Sequence, residues 1–155
     1  MPTHYDLLIR GGTLVDGTGR APYPADLAIQ NGQIAAIGAS LPGTATETLD
    51  ATGLVVTPGF VDIHSHYDGQ AFFDDTLAPS NAHGITTVVL GSCGIGFAPA
   101  READHDLLVT TMESVEDIPG DVLRAGLPWE WETFPEYLDA LDRRGFAMDV
   151  ATQVG

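Results

Sequence analysis

The stretch Pro58-Gly59-Phe60-Val61-Asp62-Ile63-His64-Ser65-His66-Tyr67-Asp68 decides the fold. Its polar residues fall at 62, 64, 66 and 68, and on a β-strand a period of two puts them on one face. Two imidazoles at i and i+2 then project in parallel from the end of one strand. There both can bind a single metal ion at about 2.0–2.1 Å, zinc being the first expectation. An exposed strand with its polar face in water gives the same alternation. Against that reading, residues 54–56 and 60–63 are apolar on both faces, and a polar row in such a setting needs partners.

Downstream of Gly59, apolar runs of the kind that form fully buried strands alternate with amphipathic helical stretches, which is βα order. Residues 60–66 are the first such run. Residues 85–90 are the second, β-branched for most of their length and ended by Gly91. Between them, 74–83 leaves room only for a short helix or an irregular crossover. Residues 103–115 carry Leu107, Leu108, Met112 and Val115 at spacings that share a helical face. Thr133-Phe134-Pro135-Glu136 has the form of a capping box, with Pro135 in the first turn. That helix is expected to run to Arg144, to bury Tyr137, Leu138 and Leu141, and to stop at Gly145. Residues 146–154 are expected as a third strand. Nothing after Gly155 covers its edge, so the 155 residues are expected to be the N-terminal piece of something larger.

Upstream, the pattern is that of a small β module. Residues 5–14 alternate around Leu7, Ile9 and Leu14 and are interrupted by Gly11-Gly12 and Asp16-Gly17, so short strands are expected. Residues 26–30 and 33–37 flank Asn31-Gly32, whose residues tolerate the positive φ angles of a two-residue hairpin turn. A Gly, Thr and Pro-rich connection over 38–48 precedes another strand signal at 54–56.

Composition narrows the function classes. Six Lys and Arg stand against 22 Asp and Glu, a formal charge of -16, which disfavours nucleic acid and anionic membranes as partners. At 44% hydrophobic and 18% charged residues the chain can bury a core. No uninterrupted apolar stretch approaches the roughly 18–20 residues of a membrane helix, and the N-terminus lacks the features of a signal peptide, so a cytoplasmic location is expected. Cys93 is the single cysteine and cannot form an internal disulfide.

Cys93 lies in Gly91-Ser92-Cys93-Gly94-Ile95-Gly96, directly after the second buried strand. If the first two strands are parallel neighbours, their C-terminal ends lie side by side, where such folds place their chemistry, and Cys93 falls near His64 and His66. An inert buried thiol, a nucleophile with His64 as base, and a metal ligand all remain open; a pair of histidines is more than a nucleophile needs. The glycine run matches a phosphate-binding loop only weakly, with no lysine following it. His4, at a terminus expected to fray, His83, in a turn, and His105, on the polar face of a helix, are expected to be solvated or locally bonded. Trp129 and Trp131, with Glu130 and Glu132, suit either a substrate lid or packing anchors.

The motif from Pro58 to His66 resembles the first-strand metal motif of the amidohydrolase superfamily, and the preceding hairpins resemble the small β-sandwich domain of those enzymes. With His83-Gly84-Ile85-Thr86-Thr87-Val88-Val89, Gly91-Ser92-Cys93-Gly94 and the 113–134 stretch, the chain resembles the N-acyl-D-amino-acid deacylase (D-aminoacylase) branch. The resemblance implies an α/β fold, the N-terminal portion of a TIM-like (β/α)8 metal-dependent hydrolase barrel preceded by half of a β-sandwich. Residues 1–55 would be the sandwich portion and 56–155 the first three βα units. It implies zinc as cofactor, one ion tightly held with room for a second, and His64, His66 and Cys93 as metal residues. By similarity Cys93 joins two later histidines at the tight site, while His64 and His66 with a later aspartate form a weaker one. The general base is then expected beyond Gly155, the substrate is a small N-acyl amino acid, and the fragment alone is inactive. A cyclic amidase of the hydantoinase or dihydroorotase kind is the rival enzyme. Those usually bridge two metals through a carboxylated lysine, and this chain has none, all six basic residues being arginine. A non-catalytic module that binds a partner through an open strand edge is the other alternative.

Overall fold

The computed structural model describes residues 3–154, and the chain falls into two compact units divided between Pro58 and Gly59. The first unit is one sheet of β1 (His4–Leu14), β2 (Tyr23–Gln30), β3 (Gln33–Gly38), β4 (Thr44–Asp50) and β5 (Val55–Val56). Its order is β3-β2-β1-β4, with β5 also on β1; β1 is antiparallel to β2 and parallel to β4 and β5. Asn31 (φ 52°) and Gly32 (φ 71°) make the hairpin turn between β2 and β3, both in the left-handed region that such a turn demands.

Three expectations for this unit are corrected. Residues 5–14 form one strand rather than several, because Gly11 (φ 70°) absorbs the irregularity as a bulge where the register shifts between Ile9 and Gly12. His4 is not frayed: it opens β1, and its ring nitrogens lie 3.0 and 3.2 Å from the Thr44 and Thr46 hydroxyls. The 38–48 connection ends early, because the β-branched threonines of β4 pair alongside β1.

The second unit is a parallel sheet of β6 (Phe60–Asp62), β7 (Ile85–Leu90) and β8 (Asp149–Thr152), in the order β6-β7-β8. Short 3-10 turns at Gln70–Phe72 and Ser80–His83 lie between β6 and β7. Three helices lie between β7 and β8: α1 (His105–Glu116), α2 (Gly120–Gly126) and α3 (Phe134–Asp142). Val88, Leu90, Phe97, Met112, Leu123 and Tyr137 are the centre of its core.

β6 is far shorter than the buried run expected over 60–66. Phe60 and Val61 are 56% and 58% exposed, because β6 pairs only with β7 among the described residues. The 146–154 strand is likewise trimmed to the four residues of β8, and Gly155 lies outside the described residues. α2 carried no sequence signal that separated it from loop. The capping box of α3 forms in both directions, with the Thr133 N–H donating to Glu136 Oε2 at 2.9 Å and the Glu136 N–H reaching Thr133 Oγ1 at 3.5 Å. The helix ends at Asp142 rather than Arg144, and its buried stripe is Tyr137, Ala140 and Leu141, leaving Leu138 exposed.

α1 keeps most of its expected face inward, with Met112 buried and Leu108 and Val115 half-buried, but Leu107 is 66% exposed. The inward face also takes the row His105, Val109, Met112 and Glu116, spaced 4, 3 and 4 along the helix. Polar residues at both ends of the inward row hid it from a purely apolar stripe. Among the described residues no helix is long and apolar enough to cross a membrane. The α1 register predicts that Met112→Ala lowers unfolding stability by about 2–5 kcal/mol. Leu107→Ala should cost no more than about 0.5 kcal/mol. Urea midpoints decide, and equal losses would contradict this register.

Candidate metal centre

β6 ends at Asp62, so the histidines do not stand on a strand face as the alternation predicts. The chain bends there because Asp62 Oδ1 accepts the His64 N–H at 3.0 Å, an Asx turn. The segment nevertheless stays docked on β7. Ser65 is buried and donates twice to the Val89 carbonyl, from its N–H at 3.2 Å and its hydroxyl at 2.9 Å. With Ser65 turned to the sheet, the residues on either side, His64 and His66, turn the other way.

The second segment follows β7. Gly91 (φ 72°) starts a turn in which Cys93 itself adopts φ 61°, a left-handed conformation that a side chain disfavours. A Cβ at Gly91 would collide with the Gln153 carbonyl oxygen, so glycine is needed where β7, the turn and the chain after β8 meet. The turn delivers the thiol to the histidines: Cys93 Sγ lies 3.1 Å from His64 Nε2 and 3.6 Å from His66 Nε2. One donor atom from each of the three residues lies within 4.8 Å of the others, the one such group of three among the described residues. His64 and Cys93 are exposed, and His66 is half-buried with its Nδ1 buried and unpartnered.

Asp68, the fourth polar residue of the motif, points the other way. It is 1% exposed, and its Oδ1 accepts the Gly91 N–H at 2.9 Å. Nearby, Glu116 from the inward row of α1 accepts the Gly69 N–H at 2.7 Å. Asp68 Oδ2, Glu116 Oε2 and the Tyr137 hydroxyl are buried without a partner. Burial pushes Asp68 up to about 6. Burial, with the Asp68 charge adding to it, pushes Glu116 up to about 8. Tyr137 is raised by burial and then by both carboxyls. Sequence reading missed Glu116, and the one signal for it was its place seven residues after Val109 on the α1 face.

The other singled-out residues lie apart from this cluster. His83 is exposed, and His105 stacks on Trp129 with ring centroids 3.6 Å apart. Trp131 is a packing anchor, 3% exposed, with its indole N–H donating to the Phe97 carbonyl at 2.7 Å.

Residues 47–155 match the model of the amidohydrolase family. A D-aminoacylase from Alcaligenes xylosoxydans xylosoxydans is 38% identical over 151 residues, covering 97% of this chain and 29% of the relative. The crystal structure of N-acyl-D-glutamate deacylase from Bordetella bronchiseptica, complexed with zinc and a phosphonate inhibitor that mimics the tetrahedral intermediate, superposes with a TM-score of 0.76. It is 35% identical over 99% of this chain and 30% of that one. A D-aminoacylase structure with a binuclear metal centre gives a TM-score of 0.70 at 32% identity, over 97% of this chain and 30% of that one. The chain thus spans less than a third of the length of these relatives.

The raised Glu116 carboxyl has a consequence for stability. An unfolded chain sheds this proton near 4.5, while the folded chain keeps it until about 8. The group therefore favours folding fully below 4.5, and that contribution is lost as pH rises through about 8. Glu116→Gln should flatten the fall in stability across this window, leaving the smaller part due to Asp68. Urea midpoints at the two ends of the window test it, and an unchanged slope would contradict the assignment.

Proposed function

The chain belongs to the amidohydrolase family, and from that premise we propose that His64, His66 and Cys93 are metal ligands, for zinc, in the hydrolysis of N-acyl-D-amino acids to a carboxylate and a D-amino acid. The observation that carries this reading is the convergence of two imidazole nitrogens on one sulfur, at 3.1 and 3.6 Å; within these 155 residues the three would hold one ion together, a departure from the split into a tight Cys93 site and a weaker His64 and His66 site that the resemblance implies for the longer protein. A tetrahedral ion with sulfur at about 2.3 Å and nitrogen at about 2.0–2.1 Å holds those atoms about 3.6 Å apart. His66 already stands at that separation from the thiol, and His64 has only to draw back from 3.1 Å to reach it. A nucleophilic cysteine would use one base; here a second imidazole is spent on the same sulfur.

Zinc bound there would polarise the acyl carbonyl and acidify a water. The chain's own residues do the rest of what these 155 positions contribute. Ser65 holds the histidine segment on β7, the Gly91 turn presents the thiol, and the exposure of His64 and Cys93 leaves a face open to a small substrate. The thiol favours the deacylase reading over a cyclic amidase, and no lysine is available here to be carboxylated. The general base and two further histidines belong to the longer polypeptide of which these residues are the metal-binding start, so the 155 residues alone bind metal without turnover. In that longer protein residues 1–55 form part of a β-sandwich and 56–155 the first three βα units of a (β/α)8 barrel, working in the cytoplasm on a small N-acyl amino acid.

Metal analysis after dialysis tests the ligand set. The unsubstituted chain should retain about one equivalent of zinc through its three ligands. Cys93→Ala and His64→Ala should retain almost none, and in the longer protein Cys93→Ala should abolish release of D-amino acid from N-acetyl-D-amino acids. Full zinc content in Cys93→Ala would overturn the ligand set, and preferential cleavage of hydantoin or dihydroorotate would overturn the substrate class.

A further inference from the structure

We propose that Asp68 is a positioning residue for this centre: by accepting the Gly91 N–H it fixes the Cys93 turn against residues 64–66, so that thiol and imidazoles are set for one ion before the ion arrives. The inference rests on the reading of His64, His66 and Cys93 as metal ligands.

The side chain is 1% exposed, and no arginine pairs with it among the described residues. A buried carboxyl without a cation is costly, and a core built only for packing has no use for one. What this carboxyl provides is an acceptor facing a single turn. Its Oδ1 takes the Gly91 N–H at 2.9 Å, and a Cβ at Gly96 would stand 3.1 Å from the same oxygen, so both ends of the cysteine turn lie against it. Asp68 is itself held from the next residue. Gly69 donates its N–H to Glu116 Oε1 at 2.7 Å, and a Cβ there would meet Glu116 Oε2 at 2.6 Å and Phe97 Cε2 at 3.2 Å. The restraint runs from α1 through Gly69 and Asp68 to Gly91 and the thiol. Cys93 needs it, because its φ of 61° is unfavourable for a residue with a side chain and would relax in a released turn.

The test uses the full 155-residue chain, zinc titration for affinity, and cobalt(II) as a spectroscopic probe whose thiolate-to-metal absorption reports Cys93 bonded to the ion. Asp68→Ala should weaken zinc binding by about 10- to 100-fold and diminish the cobalt–thiolate band. Asp68→Asn, which keeps an oxygen acceptor, should restore both. A folded Asp68→Ala chain with a lower Tm but unchanged zinc affinity and cobalt band would overturn the inference, since its role would then be structural only. If Asp68→Ala does not fold, amide exchange in the unsubstituted metal-free chain decides. A Gly91 amide protected well beyond that of Gly17 supports the restraint, and equally fast exchange overturns it. Absence of the cobalt–thiolate band in the unsubstituted chain would instead overturn the metal reading, and this inference with it.

Discussion

Parallel pairing of β6 with β7 carries two chain segments out of the sheet side by side. Three residues of β6 would be a weak anchor alone, and the contact is extended beyond the strand by Ser65, whose N–H and hydroxyl both reach the Val89 carbonyl. That docking sets the spacing of the histidines from the Gly91 turn. The separations of 3.1 and 3.6 Å between imidazole nitrogen and sulfur rest on that docking together with the Asp68 bond to the Gly91 N–H. Ligands brought by separate elements in this way depend on the backbone behind them, which is why what lies beneath the centre matters as much as what faces the solvent.

Beneath it lie acids without a counter-charge. Asp68, Glu116 and the Tyr137 hydroxyl each keep a buried polar atom unpartnered, in a chain whose formal charge is already -16. Burial drives both carboxyls toward their neutral forms, with the Asp68 charge adding to it at Glu116, and each accepts a backbone N–H from a glycine. Gly91 is sterically obligatory, walled in by the Gln153 backbone at a positive φ, while Gly69 lies against the side-chain ends of Leu123, Phe97 and Glu116. A protein under selection for stability alone has cheaper ways to fill such a space. The cost is consistent with a site in which geometry is held at the expense of fold stability.

Much of this was legible in the sequence. The His64–Ser65–His66 spacing, the β-branched run of β7 and the glycine turn around Cys93 point to one end of a parallel sheet, and the Asn31-Gly32 turn and the Thr133–Glu136 cap are local signals that need no tertiary context. Elsewhere tertiary context overrode the pattern. The two-residue alternation from Asp62 to Asp68 suggested one strand face, but the Asx turn at Asp62 ends the strand, and Ser65 rather than a continued ladder keeps the alternation. In α1 the apolar residues outnumber the inward positions, and a helix whose inward row begins with His105 and ends with Glu116 cannot be oriented by hydrophobic spacing alone. β4 was hidden because a Thr-rich strand on the edge of β1 has no apolar face to announce it. The reading of Cys93 as a ligand rather than an inert thiol came from family resemblance, since a lone cysteine carries no such signal by itself.

The account turns on whether sulfur and imidazole share one ion. X-ray absorption at the zinc edge of the zinc-loaded chain measures this directly. It should show one sulfur scatterer at about 2.3 Å together with imidazole nitrogens at about 2.0–2.1 Å. A shell of nitrogen and oxygen alone, with no sulfur, would contradict it.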